Sequence, residues 1–207
     1  MAGSPVTVHV PCYPGALASA ISGASGGETI VLAPGCTYWL AVGLIDNDSQ
    51  LTIVGEDSTL ERAPYASSLT LLKVSYGKTL TLDDVNFTNG GGSSEINGGA
   101  IYNHGTLTVN GGTFSDNRDG EYGGAIYNDD DDITLTRDSI TGNTGYDGGG
   151  IYNDDGGDLT VYGSLIDFNW ASDQGGGIYN SDCGSYTLTH SAVYGNVPDN
   201  IFDEDDC

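Results

Sequence analysis

The sequence predicts an all-β fold, a single-stranded right-handed parallel β-helix (a solenoid) of roughly seven coils with a short N-terminal capping helix. Three observations carry this. A hexapeptide recurs as Gly98-Gly99-Ala100-Ile101-Tyr102-Asn103, Gly123-Gly124-Ala125-Ile126-Tyr127-Asn128, Gly148-Gly149-Gly150-Ile151-Tyr152-Asn153 and Gly175-Gly176-Gly177-Ile178-Tyr179-Asn180, its tyrosines 25, 25 and 27 residues apart. Within each period the apolar residues alternate with polar ones, which is the spacing of strands. The paired glycines would break helices, so a helical bundle is excluded.

The elements follow in order. Residues 5–10 (Pro-Val-Thr-Val-His-Val) alternate as a half-buried strand does. Leu17 and Ile21 sit four apart among small residues. They predict a short helix that starts near Pro14 and stops at the glycines from Gly23. Such a helix covers the open apolar end of a first coil. Glu28 to Leu40 reads as two strands around Pro34-Gly35, followed by strands over 50–55, 68–74 and 78–82.

Each regular coil then has three parts. The Gly-Gly-X-Ile-Tyr-Asn strand comes first. Thr106–Val109, Ile133–Thr136, Leu159–Val161 and Tyr186–Thr189 supply the second strand. A third ends in Asn117, Asn143, Asn169 and Asn196 after Phe114, Ile140, Ile166 and Val193. Coils stacked at ~4.8 Å would line up Ile101, Ile126, Ile151 and Ile178 inside. The Asn columns are expected to bond from coil to coil and satisfy turn backbone. Residues 1–207 therefore form one domain: 1–40 a cap and first coil, 41–97 irregular coils, 98–196 the regular repeats, and 197–207 an acidic C-terminal cap.

Composition limits the function. There are 29 acidic residues against 5 basic ones, a net charge of −24. Residues 91–207 hold 21 of the acids. So few cations exclude nucleic acid, whose phosphates need Lys and Arg. Anionic lipid and strongly anionic polysaccharide are excluded as well, unless a cation intervenes. No run approaches the ~20 apolar residues of a membrane span. No signal peptide is visible, and Met1-Ala2-Gly3-Ser4 reads as a replaced start with a native signal removed. Cys12, Cys36, Cys183 and Cys207 form one local pair at each end, without a zinc-type spacing. Two disulfides, Cys12–Cys36 and Cys183–Cys207, in an oxidising compartment are the economical reading. Four free buried thiols are the alternative.

The stretch from Cys12 through Ala16–Ile21, Thr29–Tyr38 and Leu51–Gly55 to Leu60-Glu61-Arg62 resembles the N-terminal part of secreted bacterial right-handed β-helix proteins of actinobacterial type. The later Gly-Gly-X-Ile-Tyr-Asn repeats are similar to that group and to the polymorphic outer-membrane-protein repeat of the pectate-lyase-like superfamily. The resemblance spans nearly the whole chain. It implies that Cys12 and Cys36 are bonded and that the protein is secreted or displayed on a cell surface. It implies no activity.

That group also includes polysaccharide lyases and hydrolases, and these set the enzyme alternative. A lyase needs a basic group and cations. Arg118 and Arg137 are the only basic residues of the repeats, and each stands beside an acid, Asp119 or Asp138, which reads as surface pairing. A hydrolase needs two carboxylates ~5–9 Å apart. Of the polygalacturonase signatures only His104-Gly105 is present. No residue is singled out as catalytic, and a carbohydrate-active enzyme using surface Asp residues stays the alternative.

Three outward patterns remain. Tyr102, Tyr127, Tyr152 and Tyr179 alternate with the inward Ile and should face out, as a stabilising ladder or a carbohydrate platform. Asp129, Asp130, Asp131, Asp132, Asp154, Asp155, Asp158 and Asp182 follow the Asn column and should stack into an acidic strip. No cofactor is required by such a chain, but calcium, with its oxygen ligands, would relieve the repulsion there. Finally, Thr79/Thr81, Thr106/Thr108, Thr134/Thr136 and Thr187/Thr189 form Thr-X-Thr pairs, the array an ice-binding solenoid uses, although Thr also simply suits exposed strand positions. The expected function is a non-catalytic extracellular module for structure, adhesion or binding, its partner a glycan or a surface molecule. No oligomeric state is implied.

Overall fold

The structure is a computed structural model and describes residues 6–92, 96–154, 156–181 and 183–204. The chain winds as a parallel solenoid. Seven strands stack in one sheet, one from each coil, beginning at Leu44–Asp46 and ending at Ile201–Asp203. A second, thirteen-stranded sheet wraps the other faces. It is continuous round one corner because Leu51–Arg62 and Thr79–Thr88 each run through the bend. A two-stranded sheet, Thr144–Gly145 with Trp170–Ala171, was not expected from the repeat.

Register explains the core. Ile101, Ile126, Ile151 and Ile178 pair directly and are all fully buried. Leu80, Leu107, Ile133 and Leu159 form a second inward column. Phe87, Phe114, Ile140 and Ile166 form a third, with the Phe87 and Phe114 rings stacked at 5.0 Å. Each such side chain contributes ~1.5–3 kcal/mol on burial. In the last coil Tyr186, Leu188, Val193 and Ile201 are only partly buried against this core.

The paired glycines do two jobs. Gly98, Gly123, Gly148 and Gly175 have φ between 63° and 71°, the left-handed region. At the second position no side chain fits: a Cβ on Gly124 would run into the Gly149 carbonyl of the next coil.

The asparagines form two internal ladders. In one, the Asn103 amide donates to Asn128, Asn128 to Asn153, Asn153 to Asn180, and Asn180 to Asp203. In the other, Asn117 donates to Asn143, Asn143 to Asn169, and Asn169 to Asn196. The same amides also donate to carbonyls that turns would otherwise leave unpaired, such as Phe114 and Ile140.

The capping helix is Ala16–Gly23, entered through Gly15 at φ 82°. It buries Leu17 and Ile21 over the first coil. Cys12 and Cys36 are bonded across it, with a Cα–Cα distance of 5.8 Å. Cys183 is also disulfide-bonded, and its expected partner Cys207 lies outside the described residues. Ile201–Asp203, inside the stretch expected as an acidic cap, pairs in register with Ile178–Asn180.

Candidate functional site

The tyrosine column faces away from the coil interior, as alternation requires, but it is not an open platform. Tyr102, Tyr127, Tyr152, Tyr179 and Phe202 stand in register, with centroid spacings of 5.2, 5.5, 4.7 and 5.1 Å. Tyr122 leans onto Tyr152 from a neighbouring loop at 4.7 Å, and the Lys73 ammonium covers the Tyr102 end at 4.2 Å. Tyr127, Tyr152 and Tyr179 are left 6, 8 and 6% exposed. Aromatic rings one coil apart bury one another, so Tyr127, Tyr152 and Tyr179 offer no ring face to a sugar, and only Tyr102 at the end of the stack stays partly exposed.

The hydroxyls of this column meet acids of the following coil. Tyr102 donates to Asp129, Tyr127 to Asp154 and Tyr179 to Glu204. Burial pushes all three phenols up, and the adjoining carboxylate pushes further. Burial also raises Tyr152, against a bond with Ser181. The acidic strip is therefore partly committed to folding. Asp129 also stands 3.5 Å from His104 Nδ1, Asp158 accepts from Ser185, and the Asp131 carbonyl accepts from Asn128. Asp155 and Asp182 lie outside the described residues. Among the described residues no three His, Cys, Asp or Glu side chains are grouped to hold a metal ion.

The threonine pairs do not stack as pairs. One unbroken column runs Thr7, Thr29, Thr52, Thr81, Thr108, Thr134, Thr160, Thr187. Thr79 and Thr106 lie on one side of it and Thr136 and Thr189 on the other, with Tyr162 between the last two. Alternate members of a strand share a face, so pairs offset by two residues share the face but not the file. A two-file array is not formed.

Arg118 and Arg137 are exposed, whereas Asp119 and Asp138 are 3 and 2% exposed, and neither arginine has an ion pair among the described residues. Asp119 and Asp138 are turned inward while their arginine neighbours face solvent, Arg137 from a left-handed φ of 58°, so the expected surface pairing is replaced by two buried carboxyls. Burial drives both up to about 7, against backbone hydrogen bonds that pull them down. Each keeps one oxygen, Oδ2, without a partner among the described residues.

The open aromatic surface lies elsewhere. Tyr146, Phe168, Trp170 and Tyr194 are 47, 64, 46 and 50% exposed. Phe168 and Trp170 flank the inward Asn169, so both project outward from one corner. Phe168 meets Tyr194 edge-on at 6.1 Å and lies over Gly195. It does so at φ 53°, where the equivalent corners carry Asn89, Asp116, Gly142 and Gly195. A bulky residue held left-handed is strained. Tyr146 and Trp170 border a depression of about 320 Å³ that Asp119, Thr144 and Ser172 also line. Each of these aromatics occurs in one coil only, so the repeat gave no signal for them. The signal available was their departure from it.

A long, shallow-sided parallel solenoid with a polar-edged aromatic band is the surface of a β-helix module. Residues 44–204 match the right-handed β-helix region, and the chain belongs to that family. No curated protein matches it.

Proposed function

We propose that this chain is a non-catalytic extracellular β-helix module that binds a neutral glycan along the band Tyr146–Trp170–Phe168–Tyr194. The observation that carries the reading is two exposed aromatic pairs on neighbouring coils, Tyr146 with Trp170 beside the depression and Phe168 with Tyr194 edge-on. Isolated exposed aromatics need no explanation, but two rings walling a depression, with a second exposed pair on the adjoining coils, do. Thr144, Ser172 and Arg118 along its edge offer hydrogen bonds to sugar hydroxyls. The net charge of −24 disfavours an anionic chain. The Cys12–Cys36 disulfide fits an oxidising compartment.

Affinity electrophoresis in gels containing cellulose derivatives, xylan, mannan or β-1,3-glucan tests the proposal, with polygalacturonate as the anionic control. At least one neutral polymer should retard the protein, and Trp170→Ala should abolish the shift while the circular dichroism spectrum is unchanged. Equal retardation of Trp170→Ala, or release of soluble sugar from the polymer, would overturn it.

A further inference from the structure

We infer that Arg118 is the donor that fixes the ligand's orientation, holding a pair of hydroxyls on the third sugar of a chain that runs along the solenoid axis from Trp170. The inference rests on the glycan reading above and adds the direction of the chain and the residue that sets it.

Register gives the direction. Arg118 pairs with Thr144, and Thr144 with Trp170, so the three side chains occupy one outward file on successive coils. Their neighbours Asp119, Gly145 and Ala171 are buried in the inward file beside it. Successive coils are ~4.8 Å apart, about the length of one pyranose unit. A sugar stacked on the Trp170 ring therefore has its successor beside the Thr144 hydroxyl and the next beside the Arg118 guanidinium. All three residues line the depression, with Tyr146 and Ser172 along its flank. Beyond Arg118 the file continues at Gly91, which has no side chain, so that end is open to a longer chain.

Arg118 is also uncommitted. It is exposed, and its guanidinium has no hydrogen bond or ion pair among the described residues. The chain holds 29 acids, yet the nearest in sequence, Asp119, is turned inward. Arg62, by contrast, is bonded to the Asn89 and Ala66 carbonyls, and Lys73 lies over the Tyr102 ring. The Arg118 backbone is fixed: its N–H donates to the Gly90 carbonyl, and its carbonyl accepts from the Gly92 N–H. A guanidinium presents its donors in a planar fork, which matches two adjacent hydroxyl oxygens. Trp170 then supplies the apolar face and Arg118 the polar group that orients the ligand.

Isothermal titration with cello-, xylo-, manno- and β-1,3-linked gluco-oligosaccharides of two, three and six units tests this. In the unmodified protein, affinity should step up between two and three units. Arg118→Ala should remove that step. It should lower affinity for the three- and six-unit sugars roughly tenfold or more, the size of lost hydrogen bonds to a charged group, and leave the two-unit sugar unaffected. Arg137→Ala removes the same charge from an exposed position outside the depression and should change nothing. The melting temperature should be equal in all three proteins. Equal affinity of Arg118→Ala and the unmodified protein for the three-unit sugar overturns the inference and leaves the glycan reading intact. So does the same loss for two and three units, a matching loss in Arg137→Ala, or a joint fall of affinity and melting temperature. If the unmodified protein binds none of these sugars at any length, the glycan reading fails and the orientation falls with it.

Discussion

The Tyr127 hydroxyl donates a hydrogen bond to the Asp154 carboxylate of the next coil, from a ring that is itself sandwiched in the tyrosine stack. Tyr102 with Asp129 and Tyr179 with Glu204 repeat the relationship. Acids that read as a repulsive strip are thereby tied to the sheet at their first member. Tyr127→Phe keeps the stack and removes the bond. It should destabilise by about 1.5–3 kcal/mol, the range for hydrogen bonds to charged groups. Tyr127→Ala also loses the ring contacts and should cost about 3–5 kcal/mol. Urea unfolding followed by near-ultraviolet circular dichroism measures both. Equal effects of the two variants would show that the rings contribute nothing beyond the bond.

A second prediction concerns Asn143. Its side chain accepts from the Asn117 backbone and amide, and donates to Asn169 and to the Phe114 carbonyl. Asn143→Leu fills similar volume but takes this partner from the Asn117 N–H and the Phe114 carbonyl in a dry interior, while the Asn117 amide keeps the Phe87 carbonyl and Asn169 Oδ1 keeps the N–H of residue 143. At about 1–3 kcal/mol for each orphaned buried group, the variant should unfold well below the unmodified protein or fail to accumulate folded. Asn110→Leu, on a partly exposed outer position, should shift the melting temperature little. Comparable losses in the two would mean the ladder is not what holds the corner.

These two cases also show what the sequence makes legible. Inward Ile and Leu, the glycine pairs and the Asn columns recur in each coil because every coil must solve the same packing problem. One period therefore reveals them all. The exposed aromatics do not recur: Tyr146, Phe168 and Trp170 are single departures, and only the stacking of coils sets Tyr146 beside Trp170. The tyrosine column failed differently. Alternation gives the side a residue faces, but whether it is covered depends on Tyr122 arriving from another loop. Arg118-Asp119 was legible in principle, since neighbours in extended chain cannot share a face.

The N-terminal staple yields a third prediction. Cys12 and Cys36 are 24 residues apart and hold the segment that carries the helix Ala16–Gly23. A closure of this length constrains the unfolded chain by about 3 kcal/mol. Cys12→Ser with Cys36→Ser should melt lower, and amide exchange should accelerate first at Leu17 and Ile21, while Ile126 and Ile151 in the middle coils stay protected. Uniform loss of protection along the solenoid would instead mean that the coils unfold as one unit.

The last prediction is the pH dependence, and its sign follows from burial. Asp119 and Asp138 are both raised to about 7 in the folded chain, desolvation being the largest cause. In the unfolded chain each returns to about 3.9. The folded state therefore holds more protons between these two values, and its stability falls as pH rises through about 7. The contribution is complete only below the unfolded value. Asp46 and Asp147 are shifted in the same direction, again chiefly by burial. Melting temperature should accordingly be higher at pH 5.5 than at pH 8. Repulsion among the exposed acids changes in the same direction, so the comparison that isolates the buried groups is with Asp138→Asn. An amide cannot ionise, so this variant should lose part of the slope between pH 6 and 8 and gain stability relative to the unmodified protein at pH 8. Parallel curves for the two proteins would assign the slope to the surface alone.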